Sequence, residues 1–362
     1  MTPIEHVLDL ARWAPSGDNT QPWRFEIVDE RSCIVHGFDT RRHCVYDLTG
    51  ASSQIAVGAM LETARIAATG LRMRAEIRRL PTASDENLRF LLDLVPDAAV
   101  DPSPLLELVA RRSTQRRRLS RRPLTADEKA ELEASVGPTY RLVWYEGKER
   151  WRLARLMFSS AEIRLTIREA YAVHRDVIEW HAHTSETKVP DQAVGLDPIG
   201  LTLMRWAMKS WDRTRFVSTY CGGTLLPRLQ LDLLPGLFCA AHVLICRQQP
   251  AESVDDYVDV GAAVQRFWLT AERLGLRHQP EMTPLIFSSY HREGFSFSSD
   301  SRAFDRAGRV RRQLAVIAGE RSAARAVWMG RIGGGPPPVA RSLRRPLADL
   351  LTTQVESEKK AG

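Results

Sequence analysis

"ARWAPSGDNTQPWRFEIV", residues 11–28, is the stretch whose reading decides the fold. Apolar residues at helical spacing run into Trp13 and predict a helix. Small and polar residues follow, Pro15 to Thr20, and then an apolar run, Trp23 to Val28, that predicts a strand. Small residues let a backbone approach a flat ligand closely, and Ser16, Asn19 and Gln21 carry side chains that can hydrogen-bond it. Asn, Gly and Pro also begin ordinary turns. The segment therefore reads either as one wall of a ligand pocket or as a turn that starts a strand.

The rest of the chain narrows the choice. Its 362 residues exceed one typical domain and predict two lobes. A hydrophobic share of 44% is that of a globular protein. No apolar run is long enough to span a membrane. The first ten residues carry Glu5, His6 and Asp9 and lack the pattern of a secretory signal. The cysteines, Cys33, Cys44, Cys221, Cys239 and Cys246, form no CxxC pair, which suits free thiols in a reducing cytoplasm. A cytoplasmic protein is expected, without a membrane partner.

The net charge of +7 permits an anionic ligand without naming one. Most of the excess lies in "RRSTQRRRLSRR", residues 111–122, with seven arginines in twelve positions. Three readings stand: a solvated loop between lobes, a nucleic-acid arm, or a phosphate site for a small ligand. No aromatics interleave the arginines and no nucleic-acid motif flanks them, so no nucleic-acid partner is expected.

The chain also repeats itself weakly. "VGAMLETARIAATGLR" (57–72) and "VGAAVQRFWLTAERLGLR" (260–277) both open Val-Gly-Ala, carry apolar residues at helical spacing, and close Gly-Leu-Arg. Gly70 and Gly275 are candidate helix C-caps. Apolar strands are predicted at 88–95, 237–246 and 325–332. Strands and long helices mix without βαβ regularity, so the class is α+β. The lobes are placed at 1–103 and 104–362, with an insertion at about 150–235 that reads as helices around a polar loop at 181–198. The insertion is either a cap over a pocket or an extra packing layer. His174, His181 and His183 have no acidic or thiol partner at a supporting spacing. An exposed polar loop is expected there, and no metal.

These residues resemble a known family. "ARWAPSGDNTQPWRFEIV" resembles the APSxxNxQPWxF segment of the FMN-dependent nitroreductase superfamily. "ARRSTQRRRLSRRPL" (110–124) resembles its Arg-Arg-Ser helix start, "DVGAAVQRFWLTAERLGLR" (259–277) its central helix, and "RIGGGPPPVARSLRRPL" (331–347) its C-terminal strand and tail. In the family the Arg-Arg-Ser motif precedes the other within one chain, and two subunits share each flavin. Here the first lobe has only the APSxxNxQPW motif and the second only Arg111–Ser113. Where the second should carry its own APS loop it reads "EASVGPTYRLVWYE" (133–146), without the Asn and Gln.

The resemblance implies a nitroreductase-like fold in two tandem lobes, each with a mixed or antiparallel sheet packed by helices. The lobes would form an intramolecular pseudo-dimer, monomeric in solution, with one flavin site between them. It implies FMN lined by Pro15, Ser16, Gly17, Asn19 and Gln21. Its phosphate would be held by Arg111, Arg112 and Ser113 at a helix start and by Arg344 and Arg345. Gln279, Pro280, Met282 and Thr283 would present backbone groups to the ring. The implied activity is that of an oxidoreductase passing hydride through flavin N5. The donor would be NADPH or NADH and the acceptor a nitroaromatic, a quinone or a specialised metabolite. Hydride chemistry belongs to the cofactor, so no side chain is expected to be catalytic. The rivals are a protein that sequesters FMN under a cap and a flavin-dependent dehydrogenase of a specialised metabolite.

Overall fold

Two Thr-x-x-Glu capping boxes begin two similar runs of structure in the computed structural model, which describes residues 1–82, 84–220 and 222–352. Thr2 accepts from the Glu5 amide while Glu5 accepts from the Thr2 amide, and Thr125 and Glu128 repeat the exchange. The first box opens helix Pro3–Ala11, then strands Trp23–Ile27 and Ser32–Phe38, helix Ala51–Thr69, and strands Met73–Leu80 and Asn87–Pro96. The second opens helix Ala126–Val136, then strands Tyr140–Tyr145 and Ala241–Arg247, helix Val254–Arg273, and strands Leu276–Pro280 and Ala326–Gly334. Each run builds a four-stranded antiparallel sheet in the order first, second, fourth, third. In each, the long helix joins the second strand to the third. The class is α+β. The strand expected at 237–246 begins only at Ala241, because Leu234–Leu237 closes a helical turn.

The two long helices pack on each other at the centre. Ala51–Thr69 is buried on every side from Ser53 to Ala64, as a helix enclosed by other elements must be. A Cβ on Gly58 would lie 1.9 Å from the Val258 carbonyl oxygen, and one on Gly261 would lie 2.0 Å from that of Ile55. Only glycine permits so close a backbone approach. These are the glycines of the two Val-Gly-Ala triplets, and each meets the residue three places before the other. A buried hydrogen bond from Gln265 Nε2 to Thr63 Oγ1, 2.9 Å, joins the helices further along.

Each run also lends a segment to the other's core. Leu350, near the C-terminal end of the described chain, packs with Trp23, Phe25 and Met60, and the Thr352 amide donates to Phe25 O at 2.9 Å. Cys44 and Val45 pack with Phe287, Tyr290 and Met329, and the Leu48 amide donates to the Tyr290 hydroxyl at 2.9 Å. The insertion is helical at Glu149–Thr166, Arg168–Val177, Pro198–Ala207 and Trp211–Tyr220. Its polar stretch is partly paired: Thr184–Ser185 runs parallel to Arg341–Ser342, and Ile178–Glu179 to Val189–Pro190.

No helix starts at Arg111–Ser113, contrary to expectation. The amides downstream bond across to other segments: Gln115 to His278 O, Leu119 to Phe238 O and Ser120 to Gly334 O. Those bonds hold the arginine-rich stretch extended, and the next helix begins at Ala126. Gly275 is left-handed (φ 71°), as a C-cap glycine is, whereas Gly70 keeps a right-handed φ of −64° and Arg72 takes the positive φ (52°) beyond it. Cys33, Cys44, Cys239 and Cys246 are free and buried; Cys221 lies outside the described residues.

Candidate functional site

The loop after the first helix is held in a costly backbone conformation. Asp18, Asn19 and Gln21 have φ of 49°, 63° and 50°. Left-handed residues other than glycine persist where neighbours over-determine them. Here the Gln21 amide donates to Ser16 Oγ at 3.0 Å. Gln21 Nε2 donates to Asn19 O at 3.1 Å and to Glu186 O at 2.8 Å. Asn19 Nδ2 donates to Glu186 O and Lys188 O, at 3.1 and 3.2 Å. Gln21 Oε1 accepts from the Arg345 amide at 2.9 Å. The side-chain amides thus clasp the insertion and the C-terminal tail.

The clasped loop faces a cavity of about 490 Å³, within the range of small-molecule sites. Both runs and the insertion line it. Arg112, Arg341 and Arg344 line it close enough together to feel one another's charge. Arg112 donates to Trp13 O at 3.0 Å and lies over the Trp268 ring, 4.7 Å from its centroid. Arg341 donates to Ala110 O at 2.8 Å and lies over Trp13. Arg344 donates to Ala14 O through Nε and Nη2, at 3.0 and 2.9 Å. No carboxylate among the described residues forms an ion pair with any of the three, although Glu272 favours the charge of Arg112 and Arg341 from further off. Burial, with Arg341 nearby, pushes Arg112 down to about 9; burial with Arg112, Arg341 and Arg12 nearby holds Arg344 well below its ordinary value. The Nε atoms of Arg112 and Arg341 are buried with no acceptor. Desolvated like charges with orphaned donors fit an anion such as phosphate.

Pro15, Ser16, Gly17, Asn19, Arg112, Ser113, Gln279, Pro280, Met282, Thr283 and Arg344 line the cavity together. Gln21, Arg111 and Arg345 do not. Gln21 is buried as a clasp. Arg111 is exposed in a turn whose Arg111 and Arg112 amides both bond back to Leu108 O, at 3.1 and 2.9 Å. Arg345 contributes its backbone, donating to Gln21 and accepting from Arg12 at 3.0 Å. Asn19 Oδ1 and Gln279 Oε1 are buried without donors.

Sequence reading missed Arg341, Arg116, Asp18, Tyr46 and His174, which also line the cavity, as does Glu281 within the expected stretch 279–283. Asp18 faces Arg116; burial raises the carboxyl more than that guanidinium lowers it. The Tyr46 hydroxyl and His174 Nε2 are 3.0 Å apart, joining a loop of the first run to the insertion. Burial pushes His174 down to about 3, with Arg164 adding to the effect, and raises Tyr46, so both are neutral at pH 7. His174 therefore sits on a helix against the cavity rather than in an exposed loop; His181 and His183 are exposed. Beside the pair, Arg164 bridges Asp232 at 2.7 Å, and Met157, Leu165, Met204, Met208 and Leu231 give an apolar wall.

A fully buried charge chain runs inward from the cavity wall, where Glu281 and Arg331 stand. His242 Nδ1 meets Glu281 Oε2 at 2.6 Å, its Nε2 donates to Gly236 O at 2.9 Å, and Arg331 Nη1 donates to Glu281 Oε1 at 2.9 Å. Burial pulls His242 down, but the Glu281 carboxylate and the Cys239 sulfur together outweigh it and raise the imidazole to about 10. No cluster of three or more metal-ligating side chains occurs among the described residues.

No protein-family model matches the chain. It is 23% identical over 288 residues to the uncharacterized protein MT1398 of Mycobacterium tuberculosis, covering 78% of this chain and 39% of that one. The chain thus spans about two fifths of that curated relative's length. Among solved structures, a nitroreductase-like family protein from Bacillus cereus aligns at 13% identity and a TM-score of 0.34, covering 69% of this chain and 95% of that one. A nitroreductase with bound FMN from Bacteroides fragilis aligns at 13% identity and a TM-score of 0.32, covering 65% and 89%.

Proposed function

We propose that the chain is a single-chain pseudo-dimer that binds one FMN between its halves and acts as an oxidoreductase on a small organic molecule. One observation carries the reading: three neighbouring arginines without a carboxylate ion pair, Arg112 and Arg344 buried and Arg341 half-buried, in the wall of a cavity that both halves line. When bound, FMN would supply hydride transfer between NADPH or NADH and an acceptor such as a nitroaromatic, a quinone or a specialised metabolite. Arg112 and Arg341 would hold the phosphate through their free Nε donors, with Ser113 adding a hydroxyl. Asn19 Oδ1 and Gln279 Oε1 would accept from the ribityl chain or ring edge. The insertion would exclude water from that space. At its apolar end Tyr46, fixed by His174, would hold a proton against a polar atom of the substrate.

A second reading, sequestration of FMN without turnover, is favoured by the insertion itself, since its helices wall the cavity and Asn19 and Gln21 clasp it. Anaerobic titration of the FMN-loaded protein with NADPH and NADH separates the two. Loss of yellow colour supports the oxidoreductase. Colour retained by tightly bound FMN supports sequestration, and failure to bind FMN rules out both.

A further inference from the structure

The carboxylates that line the cavity are not equally satisfied. Asp232 has Arg164 at 2.7 Å, and Glu281 has Arg331 and His242 at 2.9 and 2.6 Å. Asp47 accepts from the hydroxyls of Thr40 and Ser53 and from nearby backbone amides. The Asp18 carboxylate alone has neither a hydrogen bond nor an ion pair among the described residues. Arg116, in the same wall, makes one side-chain hydrogen bond, from Nη1 to Ala193 O of the insertion at 3.3 Å. The two form no ion pair, yet each favours the other's charge, so they stand near one another without contact. They lie toward the apolar end. The charge of Asp18 reaches Tyr46 and Cys44, and the insertion that Arg116 holds supplies Met204 and Met208 to the wall.

Two unpaired charges of opposite sign in one wall call for a ligand group that donates to one and accepts from the other. An anion alone would suit Arg116 and be opposed by Asp18, and a cation alone the reverse. An ammonium and a carboxylate together would suit both but would desolvate two more ions. A neutral amide suits both without that, because it carries an N–H and a C=O side by side. We propose that the molecule acted on at this site carries an amide: its N–H donates to Asp18, its carbonyl accepts from Arg116, and its apolar body lies against Met157, Met204 and Met208. The inference rests on the oxidoreductase reading only in calling that molecule a substrate. The pyrimidine edge of a flavin offers the same N–H and C=O, and the test tells the two sources apart.

Calorimetric titration of the FMN-loaded chain with four probes of one size tests it. Benzamide offers both groups, acetophenone only the carbonyl, benzoate an anion and benzylamine a cation. Benzamide should bind ~10-fold or more tightly than any of the other three, the worth of one charge-assisted hydrogen bond. Asp18→Ala and Arg116→Ala should each weaken benzamide ~10- to 100-fold and leave FMN affinity as in the parent. Circular dichroism melts check that each variant is folded; either variant suffices, and the ranking of probes on the parent needs neither. No binding of benzamide, benzamide no tighter than acetophenone, or a folded variant that binds it like the parent would overturn the proposal. So would variants that lose FMN rather than benzamide, because the pair would then read the flavin's own edge. If the parent takes up no FMN, the flavin reading fails by itself, and the same ranking on the FMN-free chain still decides whether the pair selects an amide.

Discussion

Two helix-to-strand connections occupy the same place in the two runs. Between Ala11 and Trp23 the chain spends residues 12–22, with three left-handed non-glycine residues and two clasping amides. Between Val136 and Tyr140 it spends only residues 137–139, turning on Gly137 at φ 85°. The flanking helices, strands and capping boxes match. One scaffold therefore carries a long, clasped loop that lines the cavity on one side and a bare turn on the other. Loops hold function on a framework that fixes them, and here the lengthened loop is the one beside Arg112, Arg341 and Arg344.

The sameness of the scaffold can be broken at the helix crossing, where the largest effect is expected. Gly58→Val and Gly261→Val should each destabilise the chain by more than about 4 kcal/mol, because backbone atoms on the partner helix already fill the space. Denaturant titration reads this. Similar losses sharpen the comparison, and a mild loss at either glycine breaks it.

The second run's buried charge chain offers a smaller effect. His242→Gln should cost about 3 kcal/mol near pH 6, since it leaves Glu281 with Arg331 alone. The folded imidazole is raised to about 10, so its contribution is complete below its ordinary value of about 6.5 and is lost as pH rises toward 10. Melting of parent and variant at pH 6, 8 and 10 should show the gap narrowing. A gap that widens with pH contradicts the protonated assignment.

The neighbours Arg111 and Arg112 sharpen the comparison at the site. Arg112→Ala should weaken FMN binding ten- to a hundredfold, for a charge-assisted contact of roughly 1.5–3 kcal/mol. Arg111→Ala, on the exposed side, should leave it unchanged. Fluorescence titration of flavin distinguishes them, and the reverse ranking would move the phosphate elsewhere. Asn19→Ala should have the least effect on affinity, roughly 0.5–1.5 kcal/mol. It should also speed hydrogen exchange around 186–188, whose carbonyls it holds. If exchange there is unchanged, the loop does not clasp the insertion.

What the sequence disclosed and concealed follows from the range of the forces involved. The strands, the two long helices and the loop are local patterns, and each lies within a few residues of its expected place. The Val-Gly-Ala triplets were visible as a repeat, although their meaning, reciprocal backbone contact, needed the crossing itself. The arginine motif was legible, but not which arginine turns inward; that is set by a turn in which the Arg111 and Arg112 amides bond back to Leu108 O, and by Arg112 reaching Trp13 O and the Trp268 ring. Arg341 lies within the tail motif but three residues before the arginine pair singled out there, and Tyr46 finds His174 across 128 positions, so neither carries a local mark of its own.

The central claim is that one chain builds one flavin site from two unequal halves. The most direct test is flavin content measured together with molar mass. Protein reconstituted with excess FMN and freed of unbound flavin is weighed by light scattering, and its flavin is released and counted. One FMN per chain on a monomer is the predicted result. Two FMN per chain, or one FMN bound only when two chains associate, would contradict it.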